Sequence, residues 1–367
     1  MNTESSFQST PETGKATASS RGWVWRTLKW TLFVLVIVFV GKQGYELWNE
    51  DKLQHIEINF FWLVPAIGVY LLGSLPAVWY WQRLMQSFGG DVSFRDSLRA
   101  YYCAQLGKYI PGKATVLIIR AGMIKGRGLG AAAAAITATC ETLIMMGAGL
   151  ALALALSPMI VRPEWINSIP DGPFVDPFVV VIEWINSIPN GPFVVPCVVV
   201  IACLVALPII ATLLSHLAVK MTPAELVLSK KEMRIPAKGI GSGLIAFVIT
   251  WILFGLSLGL TIRSVSVNQM NFGDWPVWTG AVSAATVIGF LAIFAPGGIG
   301  VREGLLLMVL SLHIPEKQAV AAVVLLRLVW LVAEITAAGV LYYMVRPSNH
   351  GGLVNATDLS SDQKKDE

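Results

Sequence analysis

Long apolar runs recur along the 367-residue chain, separated by short polar connections that carry most of its charge. A membrane-spanning helix needs about 20 mostly apolar residues. That length and the loss of polar positions predict spans over residues 23–44, 59–81, 129–157, 193–218, 240–262, 277–296 and 318–345. Two more stretches, 97–119 and 303–314, are apolar but short or interrupted by charge. Counting 303–314 as a crossing and 97–119 as re-entrant gives eight crossings, within an expected seven to eight. The predicted fold class is all-α: a polytopic membrane bundle with re-entrant or broken helices near 97–119 and 296–314.

Composition moves the chain further from a soluble fold. Hydrophobic residues make up 55% and charged residues 14%, against about 25% charged residues in an ordinary soluble domain. Residues 1–20 and 347–367 are too polar to bury a core, so both read as disordered tails around one transmembrane domain, 21–346. The first apolar run follows Arg21, Arg26 and Lys29 like a signal-peptide core, but no small-residue cleavage site comes after it, and it reads as a retained span.

Charge in the connections predicts an orientation. Basic residues precede the first span, run from Arg83 to Arg127 after the second, and gather again at Lys220, Lys230, Lys231, Arg234 and Lys238. Lys and Arg accumulate in short cytoplasmic loops. Both termini are therefore expected in the cytoplasm, in a multi-pass protein of the cytoplasmic membrane. Glu164–Val175 and Glu183–Val194 are near copies. Two units are too few for a solenoid, so they read as a tandem duplication in an outer loop.

Two segments break the apolar pattern with Gly, Pro and charge together: Leu106–Lys113, running on to Arg120, and Ala295–Gly304. Such breaks are tolerated at membrane depth where protein or a water-filled cavity re-satisfies the freed backbone groups, and paired breaks often mark a transporter's substrate site. Lys108, Lys113, Arg120, Arg302 and Arg327 supply cations suited to an anionic phosphate carried on apolar tails. Backbone N–H groups near 296–300 can add a helix-N-terminus cradle. Glu303 and Glu334 are placed to pair with Arg302 and Arg327, keeping buried charge balanced until a substrate displaces a partner.

Each residue also has a plainer reading. Lys108, Lys113, Lys125 and Arg127 suit a cytoplasmic face in contact with lipid headgroups. Arg120 and Arg327 need partners in apolar surroundings, and a structural ion pair would serve. Glu303 can cap the helix that follows it. The run 131–135, with Gly147 and Gly149, reads as close helix packing.

The Gly107–Gly128 stretch resembles the Pro-Gly, Arg, small-residue, Gly pattern of the lysylphosphatidylglycerol synthetase transmembrane family, also called flippase-like. Pro296-Gly-Gly-Ile-Gly-Val-Arg-Glu303 is similar to that family's more specific Pro-Gly-Gly-Ile-Gly-x-x-Glu signature. Arg327 within Val-Leu-Leu-Arg-Leu matches an Arg of the following helix, and Glu141 resembles an acidic position after the Ala-rich run. The likeness spans about residues 60–345. Where similar proteins often carry Glu-Arg, this chain has Glu141-Thr142. Bifunctional members add a soluble aminoacyl-transferase domain, which the residues after Arg346 are too few to form here, so lysine transfer is not carried over. The resemblance implies the membrane half, moving a lipid or lipid-linked headgroup between leaflets.

The expected substrate-binding set is Lys108, Pro111, Gly112, Lys113, Arg120, Glu141, Pro296, Gly297, Gly298, Gly300, Arg302, Glu303, Arg327 and Glu334, with the two broken segments facing each other across one cytoplasm-facing groove. The function expected is transport of an anionic phospholipid or lipid-linked glycan. A membrane-embedded glycosyl- or aminoacyl-transferase, with Glu141, Glu303 or Glu334 as base, and a non-catalytic envelope-assembly factor remain alternatives. Whether the chain is an enzyme is left open, with transport favoured.

The four Cys form no C-x-x-C pair, the four His are scattered, and no P-loop is present, so no metal, catalytic residue or cofactor is expected. The partners expected are a membrane lipid and a separate lipid-modifying enzyme, with no nucleic acid.

Overall fold

Apolar runs of this length leave each helix oily on nearly every side, so the inner faces must be distinguished by small residues and by polar groups that need partners. A computed structural model of the chain describes residues 58–109, 114–124, 128–160, 237–265, 271–292 and 300–344, with isolated positions between 180 and 209. The predicted spans at 23–44 and 193–218, the duplicated loop and both tails lie outside the described residues or reach them only at those isolated positions.

The described residues form helices and contain no strand. In chain order they are α1 (Leu63–Ser87), α2 (Phe94–Gln105), α3 (Ala114–Ile124), α4 (Ala131–Ala155), α5 (Ala237–Val265), α6 (Trp275–Leu291), α7 (Val301–Ser311) and α8 (Glu316–Met344). One-turn 3₁₀ segments, Phe60–Trp62 and Leu106–Tyr109, precede α1 and follow α2. Four helices, α1, α4, α5 and α8, are long and apolar enough to cross a membrane. Helices α2, α3 and α7 have 12, 11 and 11 residues. At about 1.5 Å per residue, none reaches the hydrocarbon thickness of about 30 Å. The stretch 303–314, counted as a crossing from its composition, therefore contains a helix too short to cross alone.

Helix α5 sits at the centre. Its most apolar stretch is 67% buried, against 33% for α1 and 56% for α8, and it packs on α1, α4, α6 and α8. Small residues set these approaches. A Cβ on Gly255 would stand 2.2 Å from the Thr279 hydroxyl of α6, and one on Gly149 would stand 2.6 Å from the Trp251 ring. Either substitution would force α5 from its neighbour. Indole N–H groups need acceptors in a dry interior, and Trp251 donates to the Met145 carbonyl at 3.0 Å, tying α5 to α4.

Helix α2 is different in kind. Ser93 caps its start, its hydroxyl accepting the Asp96 N–H at 3.2 Å. Ala100, Tyr101, Tyr102 and Ala104 are buried while Phe94 and Arg95 are exposed. It packs against α1, α3 and α8 and carries the chain into the Leu106–Tyr109 turn. The break at 106–113 thus delivers Lys108 and Tyr109 to the flank of α8.

Candidate functional site

Helix α8 presents Arg327, Trp330 and Glu334 at spacings of three, four and seven, which places them on one helical face. Three other parts of the chain bring partners to that face: Tyr70 from α1, Lys108 and Tyr109 from the turn after α2, and Arg302 with Glu303 from the first turn of α7.

Glu334 is fully buried, and a carboxylate there must be matched by cations and donors. The Lys108 ammonium forms an ion pair with it. The Tyr70 hydroxyl donates to the same carboxylate, and Tyr109 donates to its other oxygen at 3.1 Å. Lys108 keeps 27% of its side chain exposed, so this ammonium stands at the edge of the cluster.

Glu303 has two tasks. One oxygen accepts the Gly300 N–H at 2.8 Å, which caps α7, and the other pairs with Arg327. Gly300 enters the helix at φ +85°, a backbone that favours glycine. Glu303 therefore serves both as the cap and as a charge partner, and the two readings do not compete.

Pairing differs from the neighbour-to-neighbour scheme that the sequence suggests. Glu303 pairs with Arg327 and Glu334 with Lys108, whereas the Arg302 guanidinium lies 4.2 Å from the centre of the Trp330 ring. The reason is geometric: adjacent residues in a helical first turn point in different directions, so Glu303 faces α8 at Arg327 while Arg302 reaches the ring one turn further along. Among the described residues, no carboxylate lies within ion-pair distance of Arg302. Among the described residues, three cations share this cluster with two carboxylates.

Arg120 and Glu141 form a second, separate unit. Arg120 on α3 donates to Glu141 on α4 at 2.5 Å, and both side chains are nearly inaccessible. Tyr101 and Thr142 each donate to that carboxylate at 3.4 Å. The guanidinium lies 4.1 Å from the Tyr101 ring centre and 5.0 Å from that of Trp81. The Glu-Arg pattern of similar proteins is absent, yet Glu141 has its cation from another helix and Thr142 as an additional donor.

Of the residues expected to bind substrate, the structure brings Lys108, Arg302, Glu303, Arg327 and Glu334 together, with Gly300 at the helix cap, and places Arg120 with Glu141. Pro111, Gly112, Lys113, Pro296, Gly297 and Gly298 lie outside the described residues. Three members of the cluster were not on the expected list: Tyr70, Tyr109 and Trp330. Trp330 and Tyr109 carried a signal, one by its spacing from Arg327 and the other by its place next to Lys108. Tyr70 is an aromatic in an apolar span and carried none.

These features define a multi-pass helical membrane protein with a charged cluster where short, broken helices meet long ones. The chain belongs to the family of lysylphosphatidylglycerol synthase transmembrane regions, whose model matches residues 26–339. That family places the protein in lipid-related processes. A comparison with curated proteins returns no match.

Proposed function

We propose that the protein moves an anionic lipid between the leaflets of the cytoplasmic membrane, with the headgroup engaged by the cluster of Lys108, Arg302 and Arg327. The observation that carries this reading is the charge balance. Three cations face two carboxylates, Glu303 and Glu334, among the described residues. A positive charge left over in low-dielectric surroundings attracts an anion far more strongly than it would in water.

The transferase alternative asks for a free carboxylate as general base. Glu141, Glu303 and Glu334 each hold a cation in an ion pair. That commitment favours transport over group transfer. Arg120 and Glu141 support the bundle in this reading.

The test is a leaflet assay in phosphatidylcholine vesicles containing a fluorescent phosphatidylglycerol. Purified protein should accelerate its movement relative to empty vesicles and to a phosphatidylcholine probe. Equal rates with and without protein, for phosphatidylglycerol and for a polyprenyl phosphate alike, would remove the reading.

A further inference from the structure

Arg302 is held unlike every other cation of the cluster. Lys108 and Arg327 lie in ion pairs, which cancel their charge. Arg302 lies on an aromatic face, 4.2 Å from the Trp330 ring centre. A ring quadrupole attracts a cation without neutralising it. The guanidinium is therefore retained but keeps its full charge for an anion.

That ring is fixed on its other sides. The Trp330 indole N–H donates to the Ser257 hydroxyl at 3.3 Å, and Ser257 donates onward to the Ala66 carbonyl at 2.9 Å. Tyr70 stacks on the indole at 4.5 Å and 21°, and Phe254 stacks on Tyr70 at 5.0 Å. Tyr70 in turn donates to Glu334. Helices α1, α5 and α8 are thus joined through one rigid aromatic stack, and its position is set by the buried hydroxyl of Ser257. A side chain with two rotatable bonds, stacked and hydrogen-bonded, is a stable platform for a mobile arginine.

We propose that Trp330 is the resting seat of Arg302, that Ser257 is the positioning residue that fixes this seat, and that the guanidinium leaves the ring to engage a phosphate oxygen of the lipid headgroup. This rests on the reading that the cluster binds an anionic lipid. Ser257 and Trp330 touch no headgroup in this scheme; they set where Arg302 waits and how readily it departs. Loss of the indole hydrogen bond loosens the seat that competes with the headgroup for Arg302, so engagement should become easier while the maximal rate stays nearly unchanged, because Arg302 itself is intact.

The experiment uses the full chain labelled with 5-fluorotryptophan in phosphatidylcholine nanodiscs, with the Trp330 fluorine resonance assigned by its loss in Trp330→Phe. Adding phosphatidylglycerol to the nanodiscs should move that resonance towards its position in Arg302→Ala, whose own resonance should not respond. Ser257→Ala should lower the phosphatidylglycerol fraction needed for half-maximal transport about three- to tenfold, the usual worth of one hydrogen bond. Trp330→Phe should do the same, and the double variant should shift no further than either single one.

A Trp330 resonance that ignores phosphatidylglycerol, in protein that does transport it, overturns the seat and leaves the transport reading standing. An equal response in pure phosphatidylcholine nanodiscs on adding inorganic phosphate keeps the seat but assigns its anion to a free phosphate, against lipid transport. Absence of both response and transport overturns both. Additive shifts in the double variant, or a raised half-maximal fraction in Ser257→Ala, overturn the role of Ser257.

Discussion

The two ion-pair regions are built from the same residue types and differ in how completely charge is matched. At Arg120–Glu141, one cation meets one carboxylate, the side chains are 4% and 1% exposed, and aromatic faces of Tyr101 and Trp81 close over the guanidinium. At the α7–α8 cluster, three cations meet two carboxylates among the described residues, and Lys108, Glu303 and Arg327 are 27%, 24% and 14% exposed. A matched, dry pair holds helices together, whereas an unmatched and partly open one leaves charge for something that arrives. Both regions carry family-like residues, so family likeness alone did not separate the two roles; burial and stoichiometry do.

The sharpest way to break this contrast is to remove one partner of the closed pair. Glu141→Ala strands the Arg120 charge in the interior, which costs about 3–5 kcal/mol. It should give the largest fall in thermal midpoint of any change considered, measured in nanodiscs. Replacing both partners, Arg120→Met with Glu141→Leu, should regain most of that stability, since apolar substitutes for a buried pair are often neutral. Transport should return with it. A double variant that is stable but does not move anionic lipid would return Arg120 to the binding site.

The open cluster should answer in the opposite way. Arg302→Ala removes the cluster cation for which the described residues supply no carboxylate partner, so it strands no buried charge. Its thermal midpoint should stay close to that of the unaltered chain while phosphatidylglycerol transport falls about tenfold to a hundredfold, the worth of a charge-assisted contact. Lys108→Ala is subtler, because it leaves Glu334 buried with only hydroxyl donors and makes the cluster neutral. Transport should fall about tenfold, by a contact of similar kind. Adding Glu334→Gln restores the surplus charge and keeps an acceptor for Tyr70 and Tyr109, so the double variant should recover most of the loss. Failure to recover would mean that Lys108 itself holds the headgroup.

The class of fold was legible because membrane insertion imposes length and hydrophobicity on each span, and five predicted spans fall within a few residues of α1, α4, α5, α6 and α8. The charged residues were legible for the same reason: Arg327 and Glu334 interrupt a 29-residue apolar helix and have no reason to be there unless partnered. Partner choice was not legible. It depends on the direction in which Arg302 and Glu303 leave the first turn of α7 and on how the α2–α3 break brings Lys108 against α8. Tyr70 and Ser257 look like ordinary members of apolar spans, and only helix packing turns them towards Glu334 and Trp330.

The smallest effect concerns the entry to α7, where two glycines four residues apart should respond with opposite signs. Gly300 has φ +85° and Gly304 lies within the helix, and a Cβ at either would meet nothing within 4 Å. Sterics with neighbours therefore drop out, and backbone preference alone remains. Gly300→Ala forces a conformation that L-residues avoid, costing about 1–3 kcal/mol, whereas Gly304→Ala replaces a helical glycine and stabilises by about 0.5–1 kcal/mol. Because the Gly300 N–H is held by Glu303, the same carboxylate that pairs with Arg327, strain at 300 should also loosen that pair. The expected result is a lower thermal midpoint with severalfold slower transport for Gly300→Ala, and a slightly higher midpoint with unchanged transport for Gly304→Ala. Equal behaviour of the two would show that the cap does not set the geometry of the open cluster, and the contrast with the closed pair would then rest on charge count alone.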